Sequence, residues 1–164
     1  MNLSQKQRII IAVVLLILIG GLVLGLETLR RQRVTDSDLA PGSIPIYVDG
    51  AMEAAFTPGD LESLEQVSFV DDEDGKTQEG WLLRDVLRLH LSEAELTPET
   101  QITVISSSRG KSADLTWAEV NDEANMVMFD LSGRGTLKLV SKLEKLDVRD
   151  EWVQDTDKIE ITSR

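Results

Sequence analysis

Two short cationic stretches are the part of this chain best placed to do chemistry. Arg109-Gly110-Lys111 and Gly133-Arg134-Gly135 put cations on glycine-bearing loops. Backbone amides left open by glycine, beside a cation, can hold an anion or an acidic group of a partner. Arg109, Lys111 and Arg134 are therefore the candidate binding residues. They stand out because their surroundings are acidic. Residues 34–164 hold 12 Lys+Arg against 28 Asp+Glu, a net charge of −16. Charge of that sign argues against nucleic acid, whose binding rests on neutralising phosphates. It also keeps the domain off an anionic lipid surface. What remains is a solubilising charge or a docking face for a basic partner.

Other chemistries are excluded or find no constellation. The chain has no cysteine, which removes disulfides, thiolate catalysis, iron–sulfur clusters and cysteine-based zinc sites. His90 is the single histidine. Its ordinary pKa suits a general base, but it shares a predicted helix face with Leu83, Val86 and Leu87 and reads as structural. Ser106-Ser107-Ser108 does not form the Gly-x-Ser-x-Gly nucleophile elbow. The acidic run Asp71–Asp74 ends at Gly75. An EF-hand loop with Gly75 in sixth place would put Val70 first, and valine cannot ligate calcium. That run reads as a solvated hairpin turn. With 28 acids in residues 34–164, no carboxylate pair can be selected for acid–base work. We assign no catalytic residue and no metal site. Trp81, Trp117 and Trp152 read as core.

The elements that carry these residues follow a long apolar run. Ile9 to Leu26 is 18 residues without a charged or polar side chain, roughly 27 Å as a helix, against about 30 Å of hydrocarbon core. The organisation expected is an N-terminal tail (1–8), a single transmembrane helix (9–29), a linker (30–43) and one globular domain (44–164). Gly21-x-x-x-Gly25 fits the small-residue spacing that lets membrane helices approach closely. Gly21 and Gly25 are the expected helix contact, with a second copy or with another subunit.

In the domain, Ile44–Val48 reads as a strand closed by Asp49-Gly50. Asp60 is placed to cap a short helix from Leu61 to Gln66. Val67–Val70 and Lys76–Glu79 read as a hairpin around the acidic turn, and Gly80–Leu91 as a helix. Gln101–Ser106, Met126–Phe129, Thr136–Val140 and Lys158–Ile161 read as strands. Trp117–Glu123 reads as a helix capped by Thr116. The mixture predicts an α+β domain.

The order of these pieces resembles the molybdopterin-binding domain of the sulfite oxidase family, in its short stand-alone type. Four stretches carry the likeness: Tyr47-Val-Asp-Gly50; Asp74 to Leu87 with its Gly-Trp-Leu-Leu-Arg-Asp-Val-Leu; Ile102 to Trp117; and Gly135-Thr-Leu-Lys-Leu-Val140 with Glu151-Trp-Val153 and Lys158-Ile-Glu-Ile161. The resemblance implies a mixed α/β domain of sulfite-oxidase-like fold and tilts it toward the extracytoplasmic side. The family holds molybdenum through a pterin dithiolene and one cysteine. This chain has no cysteine, so its molybdenum ligand is absent.

The expectation is a membrane-anchored, non-catalytic binding or structural subunit with a degenerate molybdopterin-oxidoreductase-like domain, part of a larger membrane assembly. Its partners are the membrane and other subunits, with no nucleic acid and no cofactor. One alternative is an oxidoreductase or redox protein that binds a molybdopterin in a cleft lined by Arg109, Lys111 or Arg134. Another is a small-ligand sensor.

Overall fold

Alternation of apolar and polar residues builds most of this molecule. The structure is a computed structural model in which residues 39–163 are described. Among these described residues, nine strands form two sheets. The first has the order β2-β1-β9-β5-β6, from Ala51–Phe56 (β2), Ile44–Val48 (β1), Lys158–Thr162 (β9), Gln101–Ser106 (β5) and Lys111–Thr116 (β6). The second has the order β3-β4-β7-β8, from Gln66–Val70 (β3), Thr77–Leu82 (β4), Met128–Leu131 (β7) and Leu137–Val140 (β8). All pairings are antiparallel except β1 with β9, which is parallel and sets Ile46 beside Ile159.

Among the described residues two helices are α-helical: Leu83–His90 (α1) and Trp117–Asn121 (α2). Thr116 caps α2 reciprocally: Thr116 Oγ1 accepts from Glu119 N, and Glu119 Oε2 accepts from Thr116 N. This satisfies amides that have no partner inside the first turn. Short 3-10 segments such as Pro58–Ser63 and Ser107–Arg109 fill the connections.

The period of two decides what is buried. Ile44, Ile46 and Val48 of β1 share one core with Ile102 and Val104 of β5, Leu115 of β6, and Ile159 and Ile161 of β9. Trp81, Phe129, Leu137 and Leu139 from the second sheet join it, as do Leu83, Val86 and Leu87 of α1. The other face of the second sheet carries a smaller cluster, Leu82, Met128 and Val140 beneath Trp152, with Val67 and Phe69 packed against it. Trp152 is oriented by its Nε1, which donates to Leu146 O at 3.0 Å.

The expected fold class is corrected by this architecture. It was a single transmembrane helix followed by one mixed α/β domain of sulfite-oxidase-like fold. The described residues are instead sheet-rich, with helix confined to short segments, and none of their helices is long and apolar enough to cross a membrane. Two stretches with little strand signal supply the excess. Ala51–Phe56 (AMEAAF) is alanine-rich, yet it pairs along β1. Lys111, expected on a loop, begins β6 opposite Ser106. Pairing partners override local propensity there. The expected helix from Gly80 starts at Leu83 because Gly80, Trp81 and Leu82 pair with Asp130, Phe129 and Met128. The span 9–29 and the Gly21/Gly25 contact lie outside the described residues.

Candidate functional site

Three connections converge where two of the expected cations, Arg109 and Arg134, lie. The first joins β5 to β6. Ser107–Arg109 makes one 3-10 turn, and Gly110, at φ 57°, reverses the chain in the left-handed region that glycine adopts without a Cβ penalty. Asp157 anchors this turn, accepting from Ser107 N at 2.8 Å and Ser107 Oγ at 3.0 Å. The second is the β7–β8 hairpin, in which Gly135 N donates to Ser132 O and the hydroxyls of Ser132 and Thr136 lie 2.7 Å apart.

The third is the segment Val153–Asp157, which laces the two sheets together. Leu139 N donates to Val153 O and Thr156 N to Leu137 O, both on β8 of the second sheet. Asp157 N donates to Ile105 O on β5 of the first sheet. Asp155 sits between these bonds with φ 57°, a left-handed conformation that aspartate tolerates better than most residues.

Its carboxylate gathers the cations. Arg109 Nε donates to Asp155 Oδ2 at 2.6 Å, Arg134 Nη2 donates to both oxygens at 3.1 Å, and Thr136 Oγ1 donates to Oδ1 at 2.7 Å. The Thr136 hydroxyl and then the Arg109 and Arg134 guanidiniums hold the Asp155 carboxyl below the usual carboxylate range. Arg109 and Arg134 thus meet, as cations on separate loops, but on an internal carboxylate. A phosphate-bearing pterin does not fit these donors as they stand, since Asp155 occupies them.

Lys111 lies elsewhere. Its Nζ donates to Asp150 O, and it lines a cleft of about 280 Å³ with Lys145, Asp114 and Glu151. Lys145 Nζ in turn reaches Asp114 O and Glu119. A second cleft of about 280 Å³ flanks the Asp155 cluster, lined by Ser43, Ile44, Ser108, Thr136, Leu137 and Asp157 among others. Among the described residues no group of three or more His, Asp or Glu is placed to hold a metal ion.

Sequence reasoning missed Asp155, Thr136 and Asp157. Asp155 is one of 29 acids in the chain, and its arginine partners are 46 and 21 residues away, so no local spacing marks it. The acidic turn is also more structured than a solvated hairpin: Asp71 is buried. Its Oδ1 accepts from Asp74 N at 2.7 Å and its Oδ2 from Gln78 Nε2 at 3.0 Å.

The same pattern extends over the domain. Lys76, Arg84, Lys138, Lys145, Arg149 and Lys158 all face acids of their own domain. Acids such as Glu62, Glu65, Glu93, Glu99 and Asp147 are left facing solvent.

Comparison with known proteins finds no matching family model and no matching curated sequence. Neither these comparisons nor the fold supports a molybdopterin-binding domain.

Proposed function

We propose that this protein is a non-catalytic binding or structural subunit located at a membrane, whose acidic domain docks a basic partner within a larger assembly. The observation that carries the reading is the destination of the cations. Arg109 and Arg134, the best anion-binding candidates, are spent on Asp155, and the other cations named above pair within the domain. The surplus acid therefore faces outward. A surface with one uncompensated sign steers and selects a partner of the opposite sign. The membrane location rests on the apolar run Ile9–Leu26.

The test is gentle extraction from the native membrane, followed by mass spectrometry of the intact complex and metal analysis. A stoichiometric partner with a basic surface is the expected result. A chain recovered alone in the soluble fraction, or recovered with about one molybdenum per chain, would overturn the reading.

A further inference from the structure

The four strands that border the two sheets are not equally protected. Sheet edges present unpaired backbone groups, and proteins blunt them with charges, proline, bulges or a covering segment. Edge strand β2 carries Glu53 and lies opposite a register shift at Ile46/Tyr47. Edge strand β6 carries Lys111 and Asp114, and Lys145 Nζ occupies the Asp114 carbonyl. Edge strand β8 is covered by the Leu139–Val153 bridge and the Thr156 N to Leu137 O bond.

Edge strand β3 has none of these devices. Gln66-Val-Ser-Phe-Val70 contains no charge and no proline, and its five pairs with β4 run without a register shift. Among the described residues no backbone hydrogen bond reaches its outer edge. Val70 is 54% exposed. Val67 and Phe69 lie half-buried on the Trp152 face, so an added strand would continue an apolar surface already begun. The other three edge strands each carry at least one charged residue: Glu53 on β2, Lys111 and Asp114 on β6, and Lys138 on β8.

The charge lies at its two ends. Asp60, Glu62 and Glu65 precede β3, and Asp72, Glu73 and Asp74 follow it beyond the buried Asp71, with Lys76 and Arg149 offsetting part of the latter. This arrangement selects the occupant. A second copy in antiparallel register about Ser68 would bring Glu62 and Glu65 of each copy toward the Asp72–Asp74 turn of the other, and like charges brought together disfavour that pairing. A strand with an uncharged, β-branched centre and Lys or Arg at both ends meets an apolar edge and two acidic flanks.

We infer that the outer edge of β3 is a docking site for an extended segment of a partner protein that adds as a fifth strand, apolar in its centre and basic at its ends. Main-chain bonds supply the affinity, and the flanking acids supply the specificity. The inference rests on the binding-subunit reading and names the surface that reading uses.

The test uses a labelled peptide of about nine residues, alternating valine and threonine between pairs of lysines, the length a single strand spans. It is titrated against the full chain in detergent, with amide exchange followed along β3. The expected result is saturable binding with slowed exchange at residues 66–70. A glutamate-flanked peptide should bind at least about tenfold more weakly, as should the lysine-flanked peptide to a Val70→Lys variant, whose exposed side chain leaves the core untouched. Equal binding of both peptides, protection elsewhere, or a β3-mediated homodimer in sedimentation would overturn the inference. If Val70→Lys leaves the native partner bound at full stoichiometry, the β3 assignment fails while the subunit reading stands.

Discussion

Arg109 Nε lies 2.6 Å from Asp155 Oδ2, and that bond ties the β5–β6 loop of one sheet to the strap that covers the edge of the other. Arg134 reaches the same carboxylate from the β7–β8 hairpin. Asp155 is thus a clamp between sheets, and the binding residues legible in the sequence are engaged in architecture. Arg134 is the more exposed of the two arginines, with 65% of its side chain open against 39% for Arg109, so water screens its pairing more strongly.

Replacing Asp155 with alanine should therefore loosen the strap without abolishing the fold. The expected loss is about 1 kcal/mol, kept small by solvent exposure, read as a lower urea midpoint. Arg109→Ala should cost more than Arg134→Ala. Because the folded carboxyl titrates below its ordinary value, the contribution is present above pH 3.8 and is lost as pH falls through the folded value. The difference between wild type and Asp155→Ala should therefore shrink on strong acidification.

Gly80 admits no side chain. A Cβ there would lie 1.8 Å from the carbonyl oxygen of Phe129 on the neighbouring strand. Backbone cannot retreat as a flexible side chain can, so Gly80→Ala should cost about 3 kcal/mol or more. Thermal unfolding should show a large drop in Tm or recovery only as insoluble protein. Alanine at this position with an unchanged Tm would show that β4 and β7 are spaced differently.

His90 gives a pH dependence of defined sign. Its ring stacks on Phe56 at 5.7 Å, and its Nε2 is buried without a hydrogen-bond partner. Burial lowers its pKa, and the nearby Asp60 charge opposes that shift only in part. The unfolded chain therefore binds a proton more readily than the fold below about pH 6.5. Stability from this residue is present above that value and is lost as pH falls toward the folded pKa. His90→Phe should lose less stability than wild type between pH 8 and pH 5, measured by urea midpoints at each.

On the Trp152 face, Lys138 Nζ lies 2.9 Å from Asp130 and 4.9 Å from the centre of the indole ring. Both side chains of the ion pair are mostly shielded, at 18% and 16% exposure. Removing Asp130 leaves the shielded Lys138 ammonium with Gln78 Oε1 and the indole face but no counter-charge, so Asp130→Ala should cost about 2 kcal/mol. A double change to Asp130→Leu and Lys138→Met should recover most of that loss. A fully additive double-mutant cycle would contradict the coupling.

The sequence disclosed elements whose signal is local, and the structure explains why the rest was hidden. Gln101–Ser106 alternates, and Thr116 stands three residues before Glu119, so strand and cap were readable. β2 was not, because Ala51–Phe56 is a strand only by virtue of β1 beside it. Arg109 and Arg134 were visible as cations on glycine loops, whereas Asp155 and Thr136 take their meaning from chain segments that meet only after folding. The acid surplus was countable, but its outward placement depends on which acids the cations claim.

The claim that acid on this domain docks a basic partner is tested most directly by salt. The stoichiometric partner, purified with the full chain, would be measured for affinity from low to high ionic strength. The expected result is a steep loss of affinity as salt rises, because the Debye length falls from about 30 Å at 0.01 M to about 3 Å at 1 M. Affinity unchanged across that range would contradict an acidic docking surface and leave the surplus charge as a solubilising feature alone.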